Sequence, residues 1–160
     1  MPNLLAMKVE VPALAEGYAT LSRIFDIADL SETERQIFLM TNNRLNGCFC
    51  CMAAHTTNSG MKGVPEDVMR NLRAGTKLSD PKLDELRRFA VVFNERRGWP
   101  SDEQVEAFLN AGYSRRTMLE VILGPSLKVT SNYTNHIAAT PPDDEFSTDR
   151  REEPVHADAS

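Results

Sequence analysis

The segment SETERQIFLMTNNRLNGCFCCMAAH, residues 31–55, decides the fold. Ser31 with Glu34 three residues later is a capping box, which satisfies two of the orphan backbone donors at a helix start. Ile37, Phe38, Met40 and Leu45 then recur at helical rather than alternating spacing, and Asn46-Gly47 supplies the stop. A new helix opens at about Cys48 and runs to a stop at Ser59-Gly60.

The same signals extend in both directions. Residues 12–25 read as a helix with Pro12 in its first turn, with Leu14, Leu21, Ile24 and Phe25 roughly on one side and Gly17 as a weak spot. Downstream, Val64-Pro65-Glu66-Asp67 opens a short helix with acids in its first turn, where the helix dipole favours them, and Gly75 closes it. Ser79-Asp80-Pro81 starts another, carrying Leu83, Leu86, Phe89, Ala90 and Phe93 on one stripe to Arg96-Arg97-Gly98. The run from Pro100 to Gln104 caps a sixth, which ends at Gly112. Ser114 opens a seventh, predicted to reach Ala139 with a kink at Gly124-Pro125, because proline lacks the N–H that the carbonyl four residues back needs. Residues 118–127 are apolar nearly all round, which predicts burial against another subunit. The expected architecture is an all-α, oligomeric domain of about seven helices over residues 1–140, followed by an acidic arm at 141–160.

Composition sets the outer limits. With 160 residues, 41% hydrophobic and 26% charged, the chain is globular and of a size for one domain. Its net charge of −5 disfavours a phosphate-binding surface, so nucleic acid is not an expected partner. The acidic excess lies entirely in residues 141–160, where seven acids meet only Arg150 and Arg151. No stretch is long and apolar enough to span a bilayer, and Lys8 and Glu10 interrupt the apolar run that a signal peptide would need. A cytoplasmic location is therefore expected. The three cysteines, Cys48, Cys50 and Cys51, lie within four residues of one another, too close in sequence to staple a disulfide scaffold.

The chemistry concentrates in Asn46-Gly47-Cys48-Phe49-Cys50-Cys51-Met52-Ala53-Ala54-His55. In a helix from Cys48, the thiols of Cys48 and Cys51 share a face with His55, four residues beyond Cys51. A helix N-terminus favours thiolate, and a neutral imidazole can accept a thiol proton, so Cys51 with His55 reads as an activated nucleophile. Attack on a hydroperoxide would give a sulfenic acid that Cys48 captures as a disulfide. Two plainer readings compete. Zinc would need a second ligand pair, yet His136 and His156 lie far downstream, and free cysteines are often inert core residues. The redox reading calls for neither metal nor organic cofactor.

At this segment the chain resembles the carboxymuconolactone decarboxylase family, and within it the alkylhydroperoxidase AhpD-like, peroxidase-related branch. The signature is Asn-x-Cys-x-x-Cys with a His four residues after the second Cys, here Asn46, Cys48, Cys51 and His55. The likeness extends over roughly residues 20–140. It implies an all-α fold assembled as trimers or hexamers, with Cys51 as peroxidatic thiol, Cys48 as resolving thiol and His55 in a proton relay. A hydroperoxide and a thiol or dithiol reductant are the implied partners. The lactone decarboxylases of the family generally lack this pair, which favours redox chemistry over decarboxylation, and a non-catalytic redox-sensing module is a third reading.

Two positions depart from the family pattern. The relay glutamate twelve residues before the first Cys is Gln36 here, which can hydrogen-bond but not accept a proton at neutral pH. Glu34 projects about 200° away around the helix. Cys50 replaces the His or Tyr often found there. It lies about 100° from Cys51 on a helix, so core packing competes with a Cys48–Cys50 bridge or a thiol partner. A direct Cys50–Cys51 bridge would strain the backbone. Asn132 and His136, four apart on the last helix, read as a surface or interface pair, with approach to the site from a neighbouring helix as the competing reading, and Arg96-Arg97 and Arg115-Arg116 as solvated helix ends.

Overall fold

Helix caps set the element boundaries in the computed structural model, which describes residues 10–138. The acidic arm expected at 141–160 lies outside the described residues. In chain order the helices are α1 (Pro12–Asp26), α2 (Glu32–Leu45), α3 (Phe49–Met61), α4 (Glu66–Ala74), α5 (Pro81–Glu95), α6 (Asp102–Asn110), α7 (Arg115–Glu120) and α8 (Leu123–Ala138), with no strand among the described residues. The Ser31–Glu34 capping box forms in full, and Ser101 with Gln104 makes a second at α6. Asp80 caps α5 by accepting from the N–H groups of Lys82 and Leu83.

α2 is the central element. It packs against α3, α4, α5 and α8, while α1 lies along α8. Every residue from Gln36 to Asn43 is buried, which a helix achieves only when neighbours surround it. Ile37, Phe38 and Met40 are fully enclosed and join Phe25, Leu72, Leu78, Leu86, Phe108 and Val121 in the core. Complete burial of each such side chain contributes about 1.5–3 kcal/mol. On α5 the predicted stripe is realised: Leu86, Phe89 and Ala90 are buried, with Leu83 and Phe93 packed against them.

The structure revises three boundaries and one face. Cys48 is the N-cap of α3, with non-helical backbone (φ −89°, ψ 90°), rather than its first helical residue. That helix also passes Gly60 and ends at Met61. The predicted kinked seventh helix is two helices, α7 and α8. The chain leaves the helix at Val121–Ile122 and restarts so that Pro125 falls in the first turn of α8, where its missing N–H has no partner to lose. Gly124 is required there for a different reason. A Cβ on it would lie 2.8 Å from Cδ1 of Phe38, so α8 begins in direct contact with a core ring of α2. On α1 the buried residues are Ala15, Tyr18 and Phe25, whereas Ile24 is exposed, since α1 meets chiefly α8 and buries a narrow stripe.

Within the 118–127 stretch, Val121 and Leu127 go into the core and Leu119 and Ile122 remain exposed. Val129, Tyr133 and Ile137 continue that exposed apolar surface along α8. No described helix is long and apolar enough to cross a membrane.

Candidate active site

The turn between α2 and α3 brings the thiols together. Gly47 sits at φ +67°, a left-handed conformation that glycine adopts without steric cost, and the Cys48 N–H returns to the Asn43 carbonyl at 2.9 Å. Cys48 then caps α3 while Cys50 and Cys51 occupy its first turn. All three Sγ atoms lie within 4.8 Å of one another, and those of Cys48 and Cys50 are 3.5 Å apart. Cys48 and Cys51 are buried; Cys50 is only partly so. Cys50 and Cys51 keep their helical offset, but Cys48 has left helical geometry as the N-cap and sets its sulfur 3.5 Å from that of Cys50, so Cys50 stays with the cluster.

α8 closes this cluster from the other side. Asn135 directs its Nδ2 at the three sulfurs, 3.1 Å from Cys51, 3.4 Å from Cys50 and 3.9 Å from Cys48. Two helical turns earlier, Lys128 is 1% exposed, and its Nζ lies 2.8 Å from Nε2 of His55. The other imidazole nitrogen, Nδ1, is 2.8 Å from Oε1 of Gln36. A carbonyl oxygen only accepts, so Nδ1 carries the hydrogen and Nε2 accepts from the ammonium. Gln36 in turn donates from Nε2 to Glu32 at 2.8 Å, and Glu32 is held by Lys62 at 3.0 Å and Arg35 at 2.9 Å. The result is an ordered polar line, Glu32–Gln36–His55–Lys128, which leads from the surface to the thiols. His55 has both nitrogens engaged and makes no hydrogen bond to Cys51.

Electrostatics assign the sulfurs different roles. Hydrogen bonds from Cys48 and Cys50 lower the Cys51 pKa far below that of an ordinary thiol, overcoming its burial, and the charge of Lys128 acts in the same direction. The Cys48 thiol is pulled down by Cys50, but donation to Cys51, burial and the Cys51 charge outweigh this and push it up to about 11. Cys50 is also pushed up, by its hydrogen bonds to Cys48 and Cys51 and then by burial. Burial, followed by the Lys128 charge, drives His55 down to about 3, so the imidazole is neutral. Burial likewise lowers Lys128, against the attraction of the three sulfurs. At the outer end, burial alone would raise Glu32, yet hydrogen bonds from Gln36, Lys62 and Arg35 hold it down at about 2.

Sequence comparison finds no matching family model and no matching curated protein. Among solved structures, the chain superposes on an uncharacterized peroxidase-related protein from Silicibacter sp. TM1040 with a TM-score of 0.70. The match covers 91% of this chain and 85% of that one at 15% identity. The fold resembles that of a peroxidase-related protein. At this identity the likeness is one of all-α architecture alone.

Cys48, Cys51, His55 and Gln36 gather at one junction, although His55 meets Gln36 and Lys128 instead of Cys51. Asn132 is fully buried and belongs to the scaffold beneath the site. It donates to Asn43 at 3.0 Å and accepts from Asn46 at 2.9 Å, and Asn94 extends the network to Asn42 and Asn46. His136 is exposed and stacks on Tyr133. Glu34 is spent on the Ser31 cap and points away from the thiols. Sequence reasoning missed Lys128, Asn135 and Glu32. A lone lysine between Leu127 and Val129 was the available signal for the first, since a charge on an apolar helix face needs a partner. Among the described residues no imidazole or carboxylate joins the three sulfurs, so a tetrahedral zinc ion would lack a fourth protein ligand.

Proposed function

We propose that this chain is a thiol-dependent hydroperoxide reductase in which Cys51 is the peroxidatic thiol. The observation that carries the reading is the convergence of an amide donor and a buried ammonium on one of three clustered thiols. Asn135 lies 3.1 Å from Cys51, and Lys128 supplies the positive charge nearby. A thiolate so stabilised is present at neutral pH, and the thiolate is the species that attacks peroxides.

The Cys51 thiolate attacks the distal oxygen of the hydroperoxide and the O–O bond breaks. The departing alkoxide takes a proton from the Lys128 ammonium, whose acidity burial increases, and water returns that proton through the open side of the site. Cys51 is then a sulfenic acid. Cys48 attacks its sulfur, the S–O bond breaks, and the Cys48 proton leaves with hydroxide as water, giving a disulfide. An external dithiol completes the cycle. Neutral His55, held by Gln36, orients the Lys128 ammonium. Because the amide of Gln36 also reaches Glu32, the line ends in a carboxylate even though Gln36 itself is not a base.

Hydroperoxide consumption in the presence of a small dithiol tests the reading. Turnover by the wild-type chain and none by Cys51→Ser is the expected result. Equal rates in the two would refute it, and a single stoichiometric oxidation without turnover would mark the cluster as a sensor.

A further inference from the structure

Cys50 has no part in a two-thiol cycle, yet it completes the cluster. Its Sγ is 3.5 Å from that of Cys48 and 3.4 Å from Nδ2 of Asn135, and it is the least buried of the three. We propose that Cys50 is an exchange thiol, and that the resting oxidised form of this protein carries a Cys48–Cys50 disulfide with Cys51 restored as a thiolate. The proposal rests on the peroxidase reading only for the identity of the physiological oxidant.

The reasoning concerns which bridge the surroundings favour. A Cys48–Cys51 bond removes the one anion that Lys128 and Asn135 are arranged to hold, and leaves a buried ammonium without its counter-charge. Uncompensated charge in an interior is strongly disfavoured. A Cys48–Cys50 bond leaves that anion in place. Cys48 is free to reach either partner, because as an N-cap its backbone is not bound to helical geometry. A Cys50–Cys51 bond is disfavoured by the strain of joining adjacent residues.

The step balances without a further oxidant. Cys50, as thiolate, attacks Sγ of Cys48 in the Cys48–Cys51 disulfide, and its proton goes to water on the exposed side. A new S–S bond forms, the old one breaks, and the electron pair leaves on Cys51. A thiol of low pKa is the better leaving group, which is the direction in which the Cys51 surroundings act. The protein's oxidation state is unchanged, but the disulfide now includes the partly exposed sulfur. An incoming dithiol therefore meets it at Cys50, and its own oxidation returns Cys48 and Cys50 to thiols.

The full chain oxidised with one equivalent of diamide, which forms disulfides without any peroxidase step, then quenched with an alkylating agent and fragmented by mass spectrometry, reveals which cysteine stayed free. Label on Cys51, about tenfold or more over label on Cys50, is expected from the favoured leaving group. Predominant label on Cys50 or Cys48, or no bridge at all, would overturn the proposal. In Lys128→Met the ratio should move about tenfold toward label on Cys50, as befits loss of one close charge. An unmoved ratio would remove the electrostatic cause. If diamide gives the Cys48–Cys50 form while hydroperoxide is not consumed, the exchange stands and the peroxidase reading falls. If hydroperoxide is consumed and label stays on Cys50, the reverse holds.

Discussion

Two parts of the interior are held together on different terms. Around α5 and α6, Phe89, Phe108 and Tyr113 stack with ring centroids 4.3 and 4.6 Å apart, and the cohesion is apolar area removed from water. At the junction of α2, α3 and α8 the buried side chains are asparagines, a glutamine, a histidine and a lysine, each with at least one named partner, although Nδ2 of Asn43 has none. The first region tolerates any residue of similar volume. The second tolerates almost none, because a buried donor or acceptor deprived of its partner costs about 1–3 kcal/mol. Volume supplies stability in one place, and direction supplies chemistry in the other.

That contrast can be broken most sharply at Cys51. Cys51→Ser should lower peroxide turnover by at least about a thousandfold, as loss of a nucleophile does, in protein that still folds. Phe108→Ala should do the opposite. It should cost about 3–5 kcal/mol in chemical denaturation and leave the thiol reactivity of the remaining folded protein intact. Gly124→Ala lies between the regions, since the new methyl group meets the Phe38 ring, and a loss of about 1–3 kcal/mol should be partly reversed in a double variant with Phe38→Leu. Lys128→Met should move the midpoint of the pH dependence of Cys51 alkylation upward by about one unit, the effect of one close charge.

The smallest effect is a pH slope. His55 has its pKa lowered from 6.5 to about 3, so between those values the unfolded chain binds a proton that the folded chain refuses. Stability is full above 6.5 and is lost progressively as the pH falls toward 3. Urea midpoints measured across that window should fall with acid in the wild type, and less steeply in His55→Gln. Equal slopes would show that the imidazole is not held neutral.

Much of this was legible in the sequence where the determining contacts are local. The α2 capping box spans four residues, and the α5 stripe needs only helical periodicity, so both could be read directly. The cysteine cluster was visible because its members are adjacent. Its surroundings were not. Lys128 reaches His55 across 73 residues and Asn135 reaches Cys51 across 84, distances that no local pattern encodes. Glu32 stands four residues from Gln36, yet helical spacing alone does not show that the Gln36 amide bridges it to His55 nineteen residues on. The division at Val121–Ile122 was hidden for another reason. Gly124-Pro125 is compatible with a kink or with a fresh start, and the contact with Phe38 that selects the start lies in another helix.

Lys128 has one further consequence. It fastens α8 to α3 both by its hydrogen bond to His55 and by an attraction that exists only while a neighbouring sulfur is charged, so part of the clamping of an entire helix is tied to sulfur chemistry. Amide hydrogen exchange along α8 should then act as a built-in gauge, slow when Cys51 is a thiolate and faster when that sulfur is capped by a neutral adduct. The state of the thiols could be followed through backbone protons alone, without any probe that touches the cysteines.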